Sequence, residues 1–116
     1  MKVLTILNDA PYGSERSYNG LRLALALANQ PDTELRIFLM ADAVFCGKRG
    51  QTTPEGYYNV ERMLRGCVTK AAEVGACGTC MDARGMTDAD LTDGVRRSSM
   101  AELAEWTVAA DRTVVW

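Results

Sequence analysis

The sequence predicts a three-layer α/β/α sandwich built on a five-stranded, mainly parallel sheet. Three observations carry that prediction. Short apolar runs rich in β-branched residues alternate along the chain with longer stretches of helical periodicity, the pattern of βαβ units. The strand-like runs are apolar almost throughout, as strands covered on both faces are. With 116 residues, 47% of them apolar and 24% charged, the chain has the size and composition of one domain, 1–116, with a full core.

The elements follow in order. Lys2 to Leu7 is a central strand, and Asn8 to Gly13 is the loop after it. Ser14 is placed to cap a helix that runs to about Asn29, before Pro31. Its leucines divide between two sides, Leu21 and Leu25 on one, Leu23 and Leu27 on the other. A helix apolar on two sides calls for two partners, the sheet and another subunit. Leu35 to Met40 is the second strand, Ala41 to Cys46 a short turn or helix, and Gly47 to Gly56 a flexible polar loop. That loop is a candidate lid or interface segment. A second long helix starts near Tyr57 and carries Val60, Met63, Leu64, Cys67, Val68 and Ala71 at helical spacing. Glu73 to Cys77 is the third strand. Beyond it, Thr87 to Leu91 forms a helical turn and Gly94 to Arg97 a short fourth strand. Ser99 and Glu102 make a capping box for the last helix, through about Ala110, and Arg112 to Trp116 is the fifth strand.

Composition narrows the chemistry. Thirteen basic residues are scattered among fifteen acidic ones, a net charge of −2, which gives no pull toward nucleic acid or an anionic membrane. The first residues run straight into a strand with no signal-peptide pattern, and four cysteines in such a chain are expected to be reduced thiols in the cytoplasm. The sequence holds no histidine, which removes His acid–base chemistry and His metal ligands. No Gly-Lys-Ser/Thr phosphate loop occurs. No cofactor and no metal are expected.

In sheets of this kind, sites gather at the carboxyl ends of the strands, where Asn8, Asp9, Asp42, Cys77 and Cys80 fall. The stretch Cys77-Gly78-Thr79-Cys80-Met81-Asp82-Ala83-Arg84-Gly85 stands out, with two thiols at a strand-to-helix junction. Thr79 occupies an N-cap position with Asp82 three residues on, which puts Cys80 first in the helical turn, where unpaired N–H groups favour a thiolate. Arg84 adds positive charge if its side chain turns back, and Asp82 opposes it. Cys77, at the end of a buried strand, is either core or a resolving thiol. Cys46 reads as incidental, and Cys67 as core. Asp88, Asp90 and Asp93 read as a solvated turn, and Arg96 with Arg97 as an exposed or interface pair. A C-x-x-C pair permits disulfide exchange, zinc binding or persulfide carriage. A closed zinc site wants a second C-x-x-C, which is missing.

The ordered segments Leu7 to Gly13, Ala41 to Val44, Gln51 to Asn59, Cys77 to Gly85 and Ser99 to Trp106 resemble the DsrE/DsrF-like family of intracellular sulfur-metabolism proteins. The resemblance runs nearly end to end. It implies a flavodoxin-like α/β/α fold and assembly into homotrimers or homohexamers. It also implies a cysteine at the helix start after the third strand that accepts sulfane sulfur as a persulfide. By position that cysteine is Cys80, exchanging sulfur with donor and acceptor proteins or small sulfur species. Asn8, Asp9 and Asp42 would line its pocket, with Thr79 and Arg84 beside it. Two alternatives stay open: a thiol redox protein cycling a Cys77–Cys80 disulfide, and a non-catalytic oligomeric module that binds a small molecule.

Overall fold

In the computed structural model, which describes residues 1–56 and 58–116, five strands form one parallel sheet in the order β4-β3-β2-β1-β5. They are β1 (Lys2–Leu7), β2 (Glu34–Leu39), β3 (Glu73–Cys77), β4 (Val95–Ser98) and β5 (Arg112–Val115). The expected five-stranded α/β architecture is present, with every named strand pair parallel. The central strands are covered on both sides because Leu4, Leu7, Ile37, Phe38, Leu39, Val74 and Ala76 are almost wholly withdrawn from solvent. Such continuous burial is what selects parallel pairing with helices on both faces.

Side-chain alternation assigns the layers. Leu7 and Leu39 are register partners and share one face, while Ile6 and Phe38 share the other. Helix α1 (Arg16–Ala28) lies over the Leu7 face: a Cβ on Gly20 would stand 2.6 Å from Leu7 Cδ2 and 3.0 Å from the Trp116 ring. Glycine at that point lets the helix backbone approach the sheet. Helix α2 (Val60–Thr69) packs beside α1, with Leu25 filling the space over Gly66. Helix α4 (Met100–Ala109) crosses the opposite face, and its Trp106 meets Phe38 edge to face at 6.1 Å. Gly75 leaves room for Ser98 of the neighbouring strand, whose Cβ would stand 2.9 Å from a Cβ there.

Several local expectations are corrected. The residue capping α1 is Glu15, with no side-chain cap bond; the Ser14 hydroxyl donates to Asp9 Oδ2 at 3.0 Å and accepts from the Arg16 N–H at 3.4 Å. Tyr57, where the second helix was expected to start, lies outside the described residues; α2 begins at Val60, capped by the Asn59 side chain. The Gly47–Gly56 stretch is not a free lid. Gln51 accepts from the Tyr12 hydroxyl and donates to the carbonyls of Phe45, Cys46 and Lys48, while Glu61 Oε1 accepts from the N–H groups of Gly50 and Gln51. Before α4 only half of the capping box forms: Ser99 accepts from the Glu102 N–H, but the Glu102 carboxylate is held by Arg96 and Ser98. A bidentate guanidinium is a stronger partner than one backbone N–H. Among the described residues, no helix is long and apolar enough to cross a membrane.

Candidate functional site

β3 ends at Cys77, and the short helix α3 (Gly78–Ala83) starts at the next residue. The turn is that abrupt because Gly78 carries no Cβ; one there would sit 2.9 Å from Arg97 Nε and 3.1 Å from the Ser98 carbonyl. The cap of α3 is Cys77 itself, whose Sγ accepts from the Cys80 N–H at 3.4 Å, with the Thr79 N–H also directed at it. This overturns the expected cap at Thr79, whose side chain is exposed, and makes Cys80 the third helical residue.

The amides at the start of α3 therefore serve Cys77, and Cys80 takes its donor from across the sheet edge. The Ala41 N–H reaches Cys80 Sγ at 3.2 Å. Ala41 opens a 3-10 turn, Ala41–Gly47, just past β2, and its φ is +51°. A non-glycine residue in that left-handed region costs about 1–2 kcal/mol. Arg84 does turn back: its Nε donates to Asp42 Oδ1 at 2.8 Å and its Nη1 to the Cys80 carbonyl at 3.1 Å. Asp82 is drawn away from the thiols, since both its carboxylate oxygens accept from Arg97 Nη2 at 2.7 Å.

The four thiols, all unpaired, differ in environment. Burial pushes Cys46 up to about 12 and Cys67 up to about 11. Cys77 is also raised, first by burial and then by its hydrogen bond with Cys80. Desolvation disfavours a thiolate in all three. Cys80 alone is partly exposed.

Asn8, Asp9 and Asp42 meet around one open cavity of about 250 Å³, with Tyr12 and Ser14 on its wall. Cys77, Thr79, Cys80 and Arg84 do not line it; Asp42 is the link, facing the cavity while holding Arg84. Asn8 has a structural duty besides, since its Nδ2 donates to the Trp116 carbonyl at 3.0 Å and ties β5 to β1. A second cleft of about 310 Å³, walled by Tyr12, Tyr18 and Tyr58, adjoins the first through Tyr12, Gly13 and Ser14. Among the described residues, no three His, Cys, Asp or Glu side chains gather as a metal site needs. Sequence reasoning missed Ala41, because a backbone N–H leaves no side-chain signal, and missed the Arg97–Asp82 pair, which brings β4 to α3.

The model of the DsrE/DsrF-like family matches residues 1–116. The chain belongs to the DsrE/DsrF-like family. Relatives agree with that assignment: the protein YchN of Escherichia coli (strain K12) is 45% identical over 116 residues, covering 99% of this chain and 98% of its own. MK0008 of Methanopyrus kandleri is 38% identical over 112 residues, covering 97% of this chain and 91% of its own. The crystal structure of the E. coli ychN protein superposes with a TM-score of 0.93 over 99% of this chain and 98% of that one. The structure of MTH1491 from Methanobacterium thermoautotrophicum, 16% identical, shares the fold at a TM-score of 0.70, covering 99% and 97% of the two chains. The fold, with the sheet that carries the two thiols here, is thus shared even at this distance.

Proposed function

We propose that this DsrE/DsrF-like protein carries sulfane sulfur as a persulfide on Cys80. The observation that carries the reading is the contrast among the thiols: Cys80 is the one not buried, and its sulfur receives a backbone N–H at 3.2 Å. In the step this arrangement suits, the Cys80 thiolate attacks the outer sulfur of a donor persulfide. The donor S–S bond breaks, the donor leaves as a thiolate, and a new S–S bond forms on Cys80. An acceptor thiolate then takes the outer sulfur and returns Cys80 to a thiolate. Arg84 joins the Cys80 carbonyl to Asp42, and the cavity bounded by Asn8, Asp9 and Asp42 is the space we assign to a donor or acceptor group. The 1–116 domain is proposed to assemble as a homotrimer or homohexamer, which would cover exposed apolar side chains such as Val108, Val115 and Met100, and light scattering would count the subunits.

The closeness of Cys77 favours a second reading. Its sulfur accepts the Cys80 N–H, so a disulfide substrate could be reduced to two thiols as Cys77 and Cys80 join. The deciding experiment is intact-protein mass spectrometry after exposure to a sulfane-sulfur donor, on wild type, Cys77→Ser and Cys80→Ser. Gain of one sulfur atom, lost only in Cys80→Ser, is the expected result. Loss of two hydrogens that needs both cysteines, with no added sulfur, replaces the carrier with the redox reading. No change in any variant leaves the tyrosine-walled cleft of an oligomeric binding module as the functional surface.

A further inference from the structure

Ala41 is a strained residue with no side-chain chemistry, yet its N–H lies on the sulfur of the one partly exposed thiol. Strain of this kind persists where the surroundings over-determine the backbone. The surroundings here are specific. On one side, β2 fixes Met40, whose N–H donates to the Leu7 carbonyl at 2.9 Å, and the Ala43 N–H closes back on the Met40 carbonyl at 2.8 Å. On the other side, Arg84 joins Asp42, the residue next to Ala41, to the carbonyl of Cys80 itself. One guanidinium therefore spans both ends of the Ala41–Cys80 contact. Its planar, forked donors hold two acceptors in fixed relation, which a flexible ammonium does not.

We propose that Asp42 and Arg84 are a positioning pair whose task is to hold the Ala41 N–H on the Cys80 sulfur, making that backbone amide the anion-stabilising donor of the site. The proposal rests on Cys80 as the working thiol. Among the described residues, the charged and titratable groups bonded to Cys80 are Cys77 from the end of β3 and Arg84 from the end of α3, with Asp42 from the 3-10 turn joined through Arg84. Asp9 lines the same cavity as Asp42, and Asp82 is held by Arg97. Coulomb's law and positioning make opposite predictions for one substitution. Removing the Asp42 charge takes a negative group away from a developing thiolate and by charge alone speeds its reaction. If Asp42 works through Arg84 and the backbone, the same change slows it.

The test is the rate of alkylation of Cys80 by iodoacetamide, an uncharged probe, at neutral pH, with the modified residue assigned by peptide mass spectrometry. The set is wild type, Asp42→Asn, Arg84→Gln, Arg84→Lys and the Asp42→Asn/Arg84→Gln double variant. Losing a hydrogen bond to a charged sulfur is expected to slow Cys80 by about tenfold in Asp42→Asn and in Arg84→Gln. The double variant should be no slower than either single one, because the pair acts as a unit. Arg84→Lys should recover part of the rate, and Cys46 and Cys67 should stay unmodified in every variant. A faster or unchanged Cys80 in Asp42→Asn overturns the proposal, as does labelling of Cys46 or Cys67, which would mark general loosening. Alkylation involves no sulfur transfer, so a failed persulfide assay leaves this result standing, and a successful one does not rescue it.

Discussion

Cys77 and Cys80 are three residues apart, and their surroundings differ in kind. Cys77 belongs to the sheet: it is buried, it ends β3, and its sulfur takes the amides that open α3. Cys80 belongs to the rim, partly exposed, with its sulfur donor supplied by the end of a different strand. Buried Cys46 and Cys67 use sulfur as a small hydrophobe, while Cys77 uses it, also buried, as the cap of α3. The region around Cys80 spends an unfavourable backbone conformation to put a polar hydrogen on sulfur. Nearness in sequence says little here about chemical role; what decides is which element supplies the hydrogen-bond donor and how much water remains.

That contrast can be broken most sharply by trading sulfur for oxygen. Cys46→Ser and Cys67→Ser each bury a hydroxyl in place of a thiol and should destabilise the fold by about 2 kcal/mol, whereas Cys80→Ser should stay within about 0.5 kcal/mol. Urea unfolding of the three variants checks this, and equal losses for all three would erase the distinction.

Alkaline pH offers a separation of similar size that leaves the sequence unchanged. Cys46, raised to about 12, and Cys67, raised to about 11, stay protonated in the folded chain while their unfolded counterparts ionise near the ordinary thiol value of 9.0. The unfolded state then binds fewer protons, so stability is full below pH 9 and falls as pH rises from there toward the folded values. The slope approaches about 1.4 kcal/mol per pH unit for each thiol. Cys46→Ala should flatten the decline between pH 9 and 11, and an unchanged slope would show that Cys46 is not responsible.

The smallest effect concerns Asp82. Arg97→Gln releases its carboxylate, and an exposed pair of this kind adds little to stability. Stability should therefore barely move, while Cys80 alkylation slows by about twofold; an unchanged rate would mean that Asp82 does not face the thiols once freed.

Much of the fold was legible in the chain. The apolar runs at Lys2–Leu7, Glu34–Leu39 and Glu73–Cys77 have one reading, because a strand that is apolar on both faces must sit inside a covered sheet. The placement of two thiols at a strand-to-helix junction was legible too, since β3 ends at Cys77 and α3 follows at once. Caps were less so. Ser14, Thr79 and Glu102 each matched a capping pattern, and each lost its place to competition: the helix start after Ser14 shifted to Glu15, the sulfur of Cys77 captured the amides meant for Thr79, and Arg96 captured Glu102. A pattern in sequence names what a side chain is able to bond, not what else will reach it.

By itself, then, the sequence determined the α/β class, the family and the pair of thiols at the carboxyl end of the sheet, because hydrophobic period and residue chemistry are local properties. Only the tertiary structure decided which thiol is buried, that Ala41 donates to Cys80, and that Arg84 holds Asp42 while Arg97 removes Asp82. Those contacts join residues 39, 42 and 15 positions apart, and only the folded sheet, by setting β2, β3 and β4 side by side, brings them within hydrogen-bonding distance.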